Sequence, residues 1–194
     1  MLRLFSNFVR KINMGILDFF GKKTNLPKTK DLVWKSIAAK FKACQSIMEQ
    51  YPGAVWLAWF PQSISDLKQF CLANGLSCPD VKTARNFQSI GPDNKTIVFL
   101  EHFPLPDEEN EILSKFMNSE IIFLNGLDEA LFRQFGGDRI IGLMDKLGMA
   151  EEEKIEHQMI SNSIKNAQEK IQKKVQFPNQ ANSAGDWFKI NIGA

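Results

Sequence analysis

Apolar residues recur three and four apart between Asp31 and Gln50, at Val33, Ile37, Phe41, Cys44, Ile47 and Met48, and this spacing predicts a helix. Tyr51-Pro52-Gly53 breaks the pattern. The continuous apolar run Ala54–Phe60, AVWLAWF, then reads as a strand buried on both faces. A second helical pattern follows at Ile64, Leu67, Phe70, Cys71 and Leu72, with Ser63 placed to cap it, Asp66 three residues on, and Asn74-Gly75 placed to stop it. The alternation continues with a weaker strand in LSCPDVKTA, a turn at Ser89–Lys95 and a buried strand at Thr96–Glu101. A helix over PDEENEILSKFM has Pro106 at its entry and acids in its first turn, and a further strand covers Glu120–Asn125. Strand alternating with helix implies a mainly parallel sheet flanked by helices. After Asn125 the pattern is helical, interrupted by a polar break at Gln176–Gly185, and WFKINI (187–192) is expected as a terminal strand.

The stretch Phe135–Met149, FGGDRIIGLMDKLGM, combines helical spacing at Ile140, Ile141, Leu143, Met144 and Leu147 with four glycines. It fits a helix and turn rather than a phosphate-binding loop. Gly148 is expected to end the helix in a left-handed conformation, and Gly136-Gly137 to break the preceding helix or let two elements approach.

The N-terminus differs from the rest. Phe5, Phe8, Val9, Ile12, Ile16, Phe19 and Phe20 fall near one helical face, flanked by Arg3, Arg10, Lys11, Lys22 and Lys23. This is the pattern of an interfacial amphipathic helix over residues 1–23, facing a membrane surface or a protein partner. It does not fit a secretory signal, because charge interrupts the apolar positions and no small-residue cleavage site follows. Met14 offers an alternative start, and residues 24–30, TNLPKTK, read as a linker.

Composition narrows the function. Of 194 residues, 44% are hydrophobic and 24% charged, as in an ordinary globular protein, and a net charge of +2 gives no pull towards nucleic acid. Cys44, Cys71 and Cys78 lack metal-binding spacing and are expected as reduced thiols of a cytosolic protein. No GxxxxGK[ST] loop, GxGxxG fingerprint or GxSxG elbow is present, so no catalytic residue, cofactor or metal site is expected. Glu101-His102, at a strand end, is the one pair that resembles a ligand site, and a surface turn is the simpler expectation for it. The acid run after Pro106 could hold a cation, but a solvated helix start is expected. His157 is expected as a hydrogen bonder inside an amphipathic helix.

Residues Gly126–Ile171 resemble the SecA preprotein translocase ATPase family. The resemblance rests on Leu127–Leu131, Phe135–Ile140, Leu147–Met149, the acids Glu151–Glu153, Ile155–His157 and Ala167-Gln168. It extends more faintly upstream, where Ser63-Ile64, Ala84, Arg85 and Asn86 hold matching places. It implies an α/β fold: one degenerate RecA-like lobe of the helicase C-terminal type over 31–148, then a C-terminal helix and tail over 149–194. In that family this lobe supplies arginines to ATP. Here no arginine lies between Arg85 and Arg133, and the phosphate-loop lobe is missing. Arginine contacts of that kind are worth roughly 10³-fold or more in rate. The resemblance therefore implies a non-catalytic, bacterial, cytoplasmic module, and the amphipathic N-terminal pattern leaves peripheral contact with the inner face of the membrane open beside contact with a protein partner. Its partner would be a translocase component, a chaperone or a secretory substrate, with no nucleic acid. Arg85, Glu101, His102 and Arg139 are the candidate ligand or interaction residues. The alternative is a divergent enzyme, or a binder of a small ligand or metal, at Glu101-His102.

Overall fold

The computed structural model of the chain describes residues 26–87 and 95–193. The expected N-terminal helix, and nearly all of the Ser89–Lys95 turn, lie outside the described residues. Five strands form one sheet in the order β1-β5-β4-β2-β3 (β1 Thr29–Trp34, β2 Val55–Ala58, β3 Val81–Thr83, β4 Ile97–Phe99, β5 Ile121–Gly126), and every paired neighbour is parallel.

The alternation inside each apolar run sorts its side chains to two cores. Leu57, Ile97, Phe99, Ile121 and Phe123 point to one face of the sheet, and Trp56, Ala58, Val98, Ile122 and Leu124 to the other. Both sets are buried, which explains why these strands are apolar throughout rather than at every second residue. Helices α1 (Ile37–Gln50) and α2 (Pro61–Asn74) cover the second face through Phe41, Cys44, Ile47, Leu67 and Cys71. The first face is covered by α3 (Pro106–Leu113), α4 (Ala130–Arg133), α5 (Gly137–Lys146), α6 (Gln158–Gln172) and α7 (Ala184–Ile192), through residues such as Ile112, Phe132, Met144, Ile164 and Trp187. Connections of constant hand require this exchange of faces, because the chain moves one way across the sheet from β2 to β3 and the other way from β4 to β5.

Several expectations need correction. The helix expected from Asp31 begins at Ile37, and Asp31–Trp34 belong to β1, paired with Phe123–Gly126 of β5. Ser36 is the break: it is extended, and its Oγ accepts from Ala39 N–H at 3.1 Å, so the four-residue spacing of Val33, Ile37 and Phe41 spans two elements. Ser63 is not a cap, because α2 starts two residues earlier at Pro61. Gly75 does stop α2, at φ +63°. WFKINI is helix α7, not a strand. Ser183 caps it by accepting from Asp186 N–H at 3.0 Å, and Trp187 packs edge-on against Phe103 at 5.9 Å. His157 stands before α6 as its N-cap, accepting from Met159 N–H at 3.2 Å.

The glycines of 135–149 behave as their spacing suggests. Gly136 has φ +84°, and a Cβ on Gly137 would lie 2.2 Å from Leu127 O, so α5 starts where two backbones touch. Gly148, at φ +71°, closes α5 as Met149 N–H returns to Met144 O.

Candidate functional site

The chain reverses its direction across the sheet between β2 and β4. In open parallel sheets the crevice outside the strand ends at such a reversal is the usual ligand site. Here a crevice of about 270 Å³ lies there, and its lining includes Lys40, Ser63, Glu101, Glu129 and Arg133.

Glu101 follows β4 and is 5% exposed. Its Oε1 accepts from Trp59 N–H at 2.7 Å and from Phe60 N–H at 3.3 Å, the backbone donors just before Pro61 opens α2. A helix entry of this kind favours an anion, and the chain supplies its own. Lys40, on the inward side of α1, donates to Leu100 O at 2.7 Å and to the Glu129 carboxylate. Burial pushes Glu129 up to about 7, against the pull of Lys40, and raises Glu101 in the same way. Burial alone would lower Lys40, but Glu129 and Glu101 hold it above the usual lysine range. The result is one enclosed ammonium facing two buried acids, of which Glu129 exchanges a proton near neutral pH.

A second buried cluster lies beside the first. His102 Nε2 meets Asp31 Oδ1 at 2.7 Å, and its Nδ1 meets Glu109 Oε1 at 3.0 Å. The ring stacks on Phe123 with centroids 3.8 Å apart. Burial would lower its pKa, but Glu109 and Asp31 override that and hold it at about 10, so His102 is an imidazolium. Asp31 is also held below its ordinary value, burial being outweighed by His102. Gln168 of α6 completes the cluster, donating to Phe103 O at 2.7 Å and to Glu109 at 3.1 Å.

Glu101-His102 is therefore not a surface turn but two buried titratable groups with separate partners. The acid run is not a wholly solvated helix start either. Glu109 is buried against His102, and Glu108 pairs with Arg85 at 3.0 Å, while Arg85 also lies over the Phe103 ring at 4.7 Å. Arg139 is exposed on α5, away from these groups. Among the described residues, no group of three His, Cys, Asp or Glu side chains is arranged to hold a metal ion. Lys40, Glu129 and Asp31 were not among the candidate site residues, Glu109 entered only with the acid run, and Gln168 only through the resemblance. Two carried a local signal: Lys40 sits among the inward residues of α1, and Gln168 interrupts the stripe Ile164, Ala167, Ile171.

No family model matches the chain. A stretch of 50 residues is 50% identical to the protein translocase subunit SecA of Alkaliphilus oremlandii, and a stretch of 50 is 54% identical to that of Desulfotalea psychrophila. A stretch of 52 is 50% identical to protein translocase subunit SecA 1 of Clostridioides difficile. These stretches cover 26–27% of this chain and 6% of each relative, so the chain matches only a small part of the relatives' length. The similarity to SecA is thus confined to about a quarter of the chain.

Proposed function

We propose that the chain is a non-catalytic, SecA-related interaction module, accessory or regulatory in protein translocation. It is built on one degenerate RecA-like lobe (31–148) that carries a helical C-terminal part (149–194). The observation that carries this reading is the occupied anion position at the strand-end crevice. Glu101 takes the backbone donors before α2, and the charge of Lys40 opposes, without overcoming, the effect of its burial. A phosphate entering there meets a carboxylate where a nucleotide site needs free N–H donors and arginines. The parallel sheet with helices on both faces, and the similarity to SecA, support the same reading. Its partner is a protein of the translocation system: a translocase component, a chaperone or a secretory substrate.

The test is isothermal titration of the full chain with Mg-ATP, with divalent cations alone, and with a purified translocase motor. The expected result is no heat from nucleotide or metal, and saturable heat from the protein partner. ATP turnover above background that is lost on a single point mutation overturns the reading. A second reading, a divergent enzyme or small-ligand binder at the strand end, draws on Glu129, whose pKa of about 7 suits proton transfer beside Arg133. Binding of a small ligand or metal that is lost in Glu101→Ala would favour it.

A further inference from the structure

A crevice of about 470 Å³ lies outside the carboxyl ends of β2 and β3, and it shares no lining residue with the one at Glu101. The sheet side supplies Trp59, which follows β2, and Arg85 and Asn86, from the turn after β3. The C-terminal part supplies Gln180, Asn182 and Asp186. Hydrogen bonds hold that part in place. Gln62 N–H donates to Asn182 O at 3.0 Å. The Asn191 side chain of α7 accepts from Asn179 N–H at 2.7 Å and donates to Asn179 O at 3.0 Å. The walls are therefore preformed, and the volume is that of a small-ligand site.

Trp59 is 1% exposed, and its Nε1 has no acceptor among the described residues. A buried N–H left without an acceptor is costly. No aromatic ring replaces one here. Trp59 stacks on Phe99 at 21° and tilts against Phe103 at 36°, so these rings lie over its face, whereas its N–H points outward in its own plane. Trp187, whose Nε1 also lacks an acceptor, differs: it stands edge-on to Phe103 and Phe188, at 70° and 81°, the geometry in which an N–H meets a ring. The Phe103 ring that touches Trp59 also carries the Arg85 guanidinium at 4.7 Å. Arg85 gives one nitrogen to Glu108 at 3.0 Å, which leaves further N–H donors.

An indole and a guanidinium donor in one crevice suit a carboxylate. A phosphate dianion is disfavoured, because Glu108 and Asp186 set two acids against one arginine. Asp186 gives one oxygen to the Ser183 hydroxyl at 2.8 Å and keeps the other, which suits an ammonium. We propose that this crevice binds a small zwitterion of the amino-acid or dipeptide class. Its carboxylate accepts from Trp59 Nε1 and Arg85, its ammonium donates to Asp186, and the amides of Asn86, Gln180 and Asn182 pair with its remaining polar groups. The site does not depend on a role in translocation.

Nuclear magnetic resonance of the indole N–H signals of the full chain tests it. The chain has four tryptophans, and the signal lost in Trp59→Phe is that of Trp59. Glycylglycine is expected to move this signal saturably at millimolar concentration. N-acetylglycine, which lacks the ammonium, and glycinamide, which lacks the carboxylate, are each expected to bind about tenfold more weakly, and Arg85→Gln to weaken glycylglycine by about as much. In Asp186→Asn the preference for glycylglycine over N-acetylglycine is expected to vanish. Should Trp59→Phe not fold, isothermal titration of the unaltered chain, Arg85→Gln and Asp186→Asn reads the same affinities. Neither signal movement nor heat with glycylglycine up to about 50 mM overturns the proposal and leaves the crevice to solvent. Inorganic phosphate binding as tightly as glycylglycine overturns it in favour of an anion site. Unchanged affinity for glycylglycine in both Arg85→Gln and Asp186→Asn overturns it by placing the ligand elsewhere.

Discussion

Lys40 is enclosed yet charged, because Glu129 and Glu101 face it and Leu100 O accepts from it. Removing one member of a buried charged set leaves the others without compensation, which costs about 3–5 kcal/mol. Lys40→Met is therefore expected to lower unfolding free energy by that amount in urea melts, with part regained when Glu129→Gln is added. Glu129 itself makes stability depend on pH. Its folded pKa of about 7 exceeds the ordinary 4.5, burial being the cause, so the folded state favours the protonated acid. The stabilisation is complete below pH 4.5 and is lost as pH rises through 7. A chain with Glu129→Gln is expected to show a flatter melting profile between those values.

Helix α5 offers two glycines with opposite expectations. Gly137 abuts the Leu127 carbonyl, so Gly137→Ala is expected to destabilise by about 2 kcal/mol or more, since a backbone must move. Gly142 is inside the same helix with nothing within 4 Å of its missing Cβ. Gly142→Ala is expected to stabilise by about 0.5–1 kcal/mol through helix propensity alone. Thermal melts of the two variants check both signs. Helix α7 shows tertiary contacts prevailing over local preference. WFKINI has the alternation and β-branching of a strand, but Ser183 caps a helix there, and Trp187 and Phe188 are buried together in the core.

Across the whole molecule, the His102 cluster fastens separate parts to one another: Asp31 from β1, His102 after β4, Glu109 from α3 and Gln168 from α6. The folded His102 pKa of about 10 lies above the ordinary 6.5, burial being outweighed by Glu109 and Asp31. Its stabilisation is complete below pH 6.5 and is lost as pH rises through 10, an effect on the order of a few kcal/mol. Melting temperature is expected to fall over that window, and His102→Gln to flatten the fall, as followed by circular dichroism. Because α6 hangs on the same cluster through Gln168, hydrogen exchange in α6 is expected to rise with pH beyond the intrinsic trend, ahead of that in β5.

The sequence by itself determined the central strands, most helices and the parallel class. Strands buried on both faces are written as unbroken apolar runs, as in AVWLAWF and EIIFLN, and helices carry their own periodicity and stops, such as Gly75 and Gly148. Those signals are local, so one chain segment suffices to read them. Only the tertiary structure decided that Asp31–Trp34 is a strand, because its partner is β5, some ninety residues later. Likewise, it alone decided what Glu101 and His102 do. Glu101 is set by Lys40 and the entry of α2, and His102 by Asp31, 71 residues away, and by Glu109. The charge state of a buried side chain depends on what faces it across the fold. No spacing along the chain encodes that, so a pair that reads as a surface turn became the midpoint of two enclosed ion clusters.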